Sequence, residues 1–126
     1  MASRTRRSVI VLEDERTLAK TMHEKLEKSG YKVQIEIDGV LGLQRIQKVK
    51  PDIVLLDCIL PGLSGVDVLR ALRAKPSTRA IKVIMLSNVD DEKIKKEALR
   101  LGALDYFIKT QVSLAKIIEE IEKALA

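Results

Sequence analysis

Tryptophan is absent from this chain, cysteine and histidine occur once each, and Tyr31, Tyr106 and Phe107 are its only aromatic residues. A lone Cys58 excludes an internal disulfide, and without Cys and His spacing around it there is no zinc site. His23 sits among Lys20, Glu24 and Lys25 on a helical stretch, which reads as an exposed bystander rather than a phosphoryl relay. No apolar run is long enough to span a bilayer, and the start, MASRTRRSVIVLEDE, has too short an apolar stretch for a secretory signal. A cytoplasmic location is therefore expected. The net charge of +5 raises the question of nucleic acid, but only Arg4, Arg6 and Arg7 cluster, and the aromatics needed for base stacking are missing. Nucleic-acid binding is not expected, and residues 1–7 read as a solvated basic arm.

What is present is 126 residues with 46% apolar content, the size of one compact domain over residues 8–126. Ser8 to Leu12 is an apolar, β-branched run closed by three acids, which predicts a strand buried on both faces, as in parallel sheets. Leu18, Met22 and Leu26 recur at helical spacing between Glu15 and Ser29, with Gly30 as the stop. Tyr31 to Ile37 reads as a strand, Asp38 caps a helix reaching Val49, and Lys50-Pro51 breaks it. Asp52 to Asp57 is the third strand, and Ser64 caps a helix ending near Ala74. Ile81 to Leu86 is the fourth strand, and Asp90 or Asp91 opens a helix that Gly102 ends. Leu104 to Ile108 is the fifth strand, before a last helix from Ser113 to Leu125. Five alternating units predict an α/β fold, a doubly wound parallel sheet with five helices on both faces.

In such sheets ligands bind beyond the carboxyl ends of the strands. There the sequence places Glu13 and Asp14 after the first strand, Asp57 at the end of the third, Ser87 after the fourth and Lys109 after the fifth. Glu13 or Asp14 taken alone reads more readily as a helix N-cap. Asp57 closes a wholly apolar strand and runs into Cys58, Ile59 and Leu60, a poor context for a cap. Neighbouring carboxylates repel unless a cation intervenes, and an all-oxygen set suits magnesium. Lys109 would be a point-charge partner for a phosphoryl group.

The acids of VIVLEDE, the segment DIVLLDCILPGLSG, VIMLSN and YFIK together resemble the motifs of the response-regulator receiver family, across nearly the whole chain. The resemblance implies a flavodoxin-like strand order 2-1-3-4-5. It implies Asp57 as phosphoacceptor, with Glu13, Asp14, Asp57 and the backbone carbonyl of Ile59 holding Mg2+. Lys109 would contact the phosphoryl group, Ser87 would be the switch hydroxyl, and Tyr106 the aromatic that swings inward. The donor would be a histidine kinase or histidine phosphotransfer protein. The readout would be a downstream protein on the face of the fourth helix, fifth strand and fifth helix, with the receiver a monomer or a phosphorylation-linked dimer. Such a domain is no enzyme beyond its own phosphorylation and slow autodephosphorylation.

In the family a proline commonly follows the lysine across a cis bond; here Thr110 follows Lys109, and a cis bond there costs about 3 kcal/mol. Either the fold enforces that bond or the local loop differs. Apolar Ile59 and Val89 stand two residues beyond Asp57 and Ser87, where a polar side chain could guide water, so a long-lived phosphoaspartate is expected. Asn88 is placed to cover part of the site. A phosphatase with an aspartyl nucleophile needs an acid two residues after it, and Ile59 stands there instead. A flavin or nucleotide module lacks its glycine-rich loop after the first strand. An interaction module that ignores phosphorylation would show a lost acid or lysine, and none is lost. A last helix ending at Ala126 without a linker favours a stand-alone or trimmed receiver.

Overall fold

The computed structural model describes residues 6–126, so most of the basic arm, including Arg4, lies outside the described residues. Five strands, β1 (Ser8–Leu12), β2 (Lys32–Glu36), β3 (Ile53–Asp57), β4 (Lys82–Ser87) and β5 (Asp105–Ile108), form one parallel sheet in the order β2-β1-β3-β4-β5. This is the expected doubly wound order. Five helices alternate with them: α1 (Arg16–Lys28), α2 (Gly39–Val49), α3 (Gly65–Ala74), α4 (Glu92–Arg100) and α5 (Leu114–Leu125).

Strand alternation divides the core into two layers. Ile10, Leu12, Val54, Leu56, Val83 and Met85 face one side, where Ile46, Leu69 and Ala98 bring in α2, α3 and α4. Val9, Val11, Ile53, Leu55, Ile84 and Leu86 face the other, against Met22 and Leu26 of α1 and Ile117 and Ile121 of α5. Because helices cover both faces, the central strands are apolar and buried along their interiors, Val9 to Leu12, Ile53 to Leu56 and Val83 to Leu86.

Side chains start each helix. Asp38 accepts from Val40 N and Leu41 N, Ser64 from Asp67 N, Asp91 rather than Asp90 from Lys93 N and Ile94 N, and Ser113 from Lys116 N. Arg6 and Arg7 are exposed and belong to no element, yet the Arg7 carbonyl accepts from Lys32 N at 2.8 Å, so the sheet already holds the backbone there. No helix among the described residues is long and apolar enough to cross a membrane.

Candidate functional site

The parallel strands deliver their last residues to one edge, and β1 and β3, side by side, deliver acids. Glu13 is fully buried, Asp57 is 3% exposed, and Asp14 faces solvent. Oxygens of these three carboxylates lie within 4.8 Å of one another. The capping ambiguity at the start of α1 resolves in favour of Glu15, whose carboxylate accepts from Thr17 N and Leu18 N. Asp14 is thereby released from capping, and its side chain makes no hydrogen bond among the described residues.

Lys109 enters from the far side. Its Nζ donates to Asp57 Oδ2 at 2.7 Å and stands 2.6 Å from Glu13 Oε1, with its side chain 11% exposed. Burial opposes the ammonium charge, but the Asp57 and Glu13 contacts outweigh it and raise the Lys109 pKa. Burial pushes the Glu13 pKa upward against the lowering pull of Lys109. Glu13 Oε2 accepts from Glu15 N, while Oε1 is held against the Lys109 ammonium.

Among the described residues there is no cis peptide bond; Lys109 to Gln111 instead form a short 3-10 turn. The loop after Lys109 therefore takes its own path while the ammonium still reaches Asp57.

The β3–α3 loop folds back tightly beside the site. Ile59 N donates to Asp57 Oδ1 at 3.3 Å, Gly62 turns the chain at φ +82°, and Gly65 N donates to Cys58 O at 2.9 Å. A Cβ at Gly65 would lie 2.0 Å from the Asp57 carbonyl oxygen, so only glycine permits that approach. Ile59 and Val89 are 59% and 46% exposed, and Asn88 is exposed, leaving an apolar rim on a polar floor.

Ser87 is buried, and its hydroxyl accepts from Val89 N at 3.1 Å. Tyr106, 6% exposed, already lies inside and donates to the Val89 carbonyl at 3.1 Å. Cys58 lies on the same side of the sheet as Tyr106, and burial, with Asp57 beside it, pushes its thiol up to about 11. It is a core residue and not a nucleophile. His23 is half-exposed beside Glu27 on α1 and is not among the residues gathered around Asp57.

Sequence reasoning missed two contributors. The Val89 carbonyl that receives Tyr106 is a backbone atom with no sequence signature. Arg73 of α3 donates to the carbonyls of Leu101, Gly102, Arg79 and Ile81, tying the end of α4 to the approach to β4. Nothing in the spacing of α3 marks it.

This arrangement defines a receiver of the two-component type. A family model for the response regulator receiver domain matches residues 9–122, and the chain belongs to that family. Sensory transduction protein RegX3 of Mycobacterium tuberculosis is 40% identical over 118 residues, covering 94% of this chain and 50% of RegX3. The phosphate regulon transcriptional regulatory protein PhoB of Rhizobium meliloti is 36% identical over 101 residues, covering 80% of this chain and 44% of PhoB. The chain thus spans about half the length of the curated relatives it matches. A CheY-like receiver domain protein from Methanospirillum hungatei superposes with a TM-score of 0.87 at 24% identity, over 96% of this chain and 94% of that one, which shows the shared fold.

Proposed function

We propose that this receiver takes a phosphoryl group on Asp57 from a phosphohistidine on a histidine kinase or phosphotransfer protein. The observation that carries the reading is the Asp57 carboxylate, buried at the end of β3 with the Lys109 ammonium at 2.7 Å and two further carboxylates beside it.

The donor set fits magnesium. Three carboxylates whose oxygens lie within 4.8 Å of one another, against one ammonium, leave a formal excess of two negative charges in an all-oxygen donor set. Glu13, Asp14, Asp57 and the Ile59 carbonyl would hold the ion, with water and phosphoryl oxygens completing its shell. When bound, it supplies Lewis-acid neutralisation of phosphoryl charge.

An Asp57 carboxylate oxygen attacks phosphorus in line with the departing imidazole nitrogen. The O–P bond forms, the N–P bond breaks, and the electron pair returns to that nitrogen; the ring leaves neutral because its other nitrogen carries the proton. Lys109 shifts from the carboxylate to a phosphoryl oxygen, where a fixed positive charge is worth most as negative charge builds. Ser87 exchanges its local bond to Val89 N for the new acceptor. Tyr106, already inside and bonded to Val89 O, fits that arrangement, so the group selects a packing the unmodified chain can reach.

The readout is a downstream protein on the α4–β5–α5 face. A groove of about 410 Å³ there is lined by Asp90, Lys95, Tyr106, Phe107, Gln111 and Lys116. Residues 8–126 act as the receiver in the cytoplasm, residues 1–7 as a basic arm, and the phosphoryl group either leaves the oligomeric state as it is or links two receivers through that face. Intact mass after incubation with a small phosphodonor tests the reading. A magnesium-dependent gain of one phosphoryl group, absent in Asp57→Asn, supports it. No gain in either protein leaves a phosphorylation-independent interaction module.

A further inference from the structure

The sheet has two edges, and the one at β2 lies at the far side of the sheet from the α4–β5–α5 face. β2 pairs with β1 on one side and with no strand on the other among the described residues. Lys32 N donates to Arg7 O and Glu36 O accepts from Glu13 N, so the backbone groups of Lys32, Gln34 and Glu36 point inward. By the two-residue alternation of a strand, those of Val33 and Ile35 point outward. An open row of this kind is a template for another strand.

We propose that the occupant is a second copy of this chain, joined at β2 antiparallel across a two-fold axis through Gln34. The segment Lys32-Val33-Gln34-Ile35-Glu36 is its own complement in that register. Val33 falls opposite Ile35 of the partner subunit and Ile35 opposite the partner's Val33, the positions whose backbone groups are free to exchange hydrogen bonds. Lys32 falls opposite the partner's Glu36, a close non-hydrogen-bonded pair of opposite charge that the two-fold repeats. Val33 faces the α1 layer, so Lys32, Gln34 and Glu36 stand together on the α2 side, where Arg45 of α2 already holds Glu36 Oε2.

Two further features fit this occupant. Gln34 Oε1 is enclosed without a hydrogen-bond partner among the described residues, and on the axis a rotation of the side chain brings it to the partner's amide. Ile37, 40% exposed just beyond β2, leaves an apolar side chain uncovered at this edge. The α4–β5–α5 face stays open in this dimer, so pairing is independent of phosphoryl chemistry.

Sedimentation velocity over a concentration series, with circular dichroism as a folding control, tests the pairing. The wild type is expected to show a reversible monomer–dimer equilibrium in the absence of phosphodonor, and Asp57→Asn leaves it unaltered. Lys32→Glu and Glu36→Lys each place like charges opposite one another twice and weaken the dimer about tenfold or more. An equimolar mixture of the two variants restores opposite charges at both pairs and recovers a dimer. Ile35→Pro removes an outward N–H that the β1 ladder does not use, and abolishes pairing in a folded protein. A wild type that stays monomeric into the millimolar range overturns the proposal. So do a dimer that survives these variants, a dimer that forms only with phosphodonor, and folded single variants that remain monomeric when mixed.

Discussion

Lys109→Met deletes one ammonium and keeps most of the apolar stem, leaving Glu13 and Asp57 buried with no cation between them. Removing one partner of a buried ion pair costs about 3–5 kcal/mol, because the remaining charge is stranded away from water. The site opens to solvent at Asp14, which places the expected loss near the lower end, about 3 kcal/mol. With a urea slope of about 2 kcal/mol per molar, the unfolding midpoint falls by about 1.5 M. The chain has no tryptophan, so far-UV circular dichroism is the readout, with a chelator present to remove divalent ions. Lys116→Met, which breaks only exposed pairs to Glu119 and Glu120 on α5, should leave the midpoint unchanged. Magnesium should then recover more stability in Lys109→Met than in the wild type, since the excess negative charge at the site rises from two to three. A loss below about 1 kcal/mol, the scale of an exposed pair, refutes the reasoning.

Arg73→Met strips donors from four carbonyls and is expected to cost about 2–4 kcal/mol, with amide-exchange protection lost first at the end of α4; full protection there would count against the anchoring role. Burial raises the pKa of both Tyr31 and Tyr106 above 10.0. The unfolded chain then releases these protons first, so stability is constant below pH 10 on their account and falls as pH rises from there through the raised values. A phenolate absorbance titration of the native protein should lag that of the urea-unfolded chain, and coincident curves would contradict the burial of both rings. The exposed apolar side chains of Ile59 and Val89 should give a slowly hydrolysing phosphoaspartate, and Ile59→Asn or Val89→Glu should shorten its lifetime; a half-life of seconds that these changes leave alone would remove the idea.

Strand interiors, helix caps and the residues at the carboxyl edge were legible because each rests on local chemistry. Asp38 and Ser64 cap where their side chains predict, and Glu13, Asp57, Ser87 and Lys109 follow apolar runs that only a buried sheet could bring into line. Strand ends were less legible, because a ladder ends where a neighbour stops pairing. Tyr31 reads as strand, but its N–H donates to Leu26 O and closes α1 instead. Asp52 reads as strand, but its carboxylate takes Ser8 N, and the ladder starts at Ile53. The fourth strand reads as Ile81 to Leu86, but the ladder runs from Lys82 to Ser87, where Ile108 pairs with Ser87.

The difference between Glu13 and Asp14 marks a deeper limit on reading sites from sequence. A cap and a metal ligand use the same side chain at the same distance after a strand, so composition and spacing leave three consecutive acids equivalent. The turn into α1 separates them: Glu15 takes the cap, Glu13 is drawn into the floor beside Lys109, and Asp14 is left at the mouth without a hydrogen-bonding partner among the described residues. Burying two of the site's three carboxylates against one ammonium would be wasteful for a purely structural cluster, since apolar residues of similar volume would serve stability at least as well. The excess negative charge at this sheet edge is therefore better explained by the cation and phosphoryl group it is proposed to meet than by any contribution to holding the fold together.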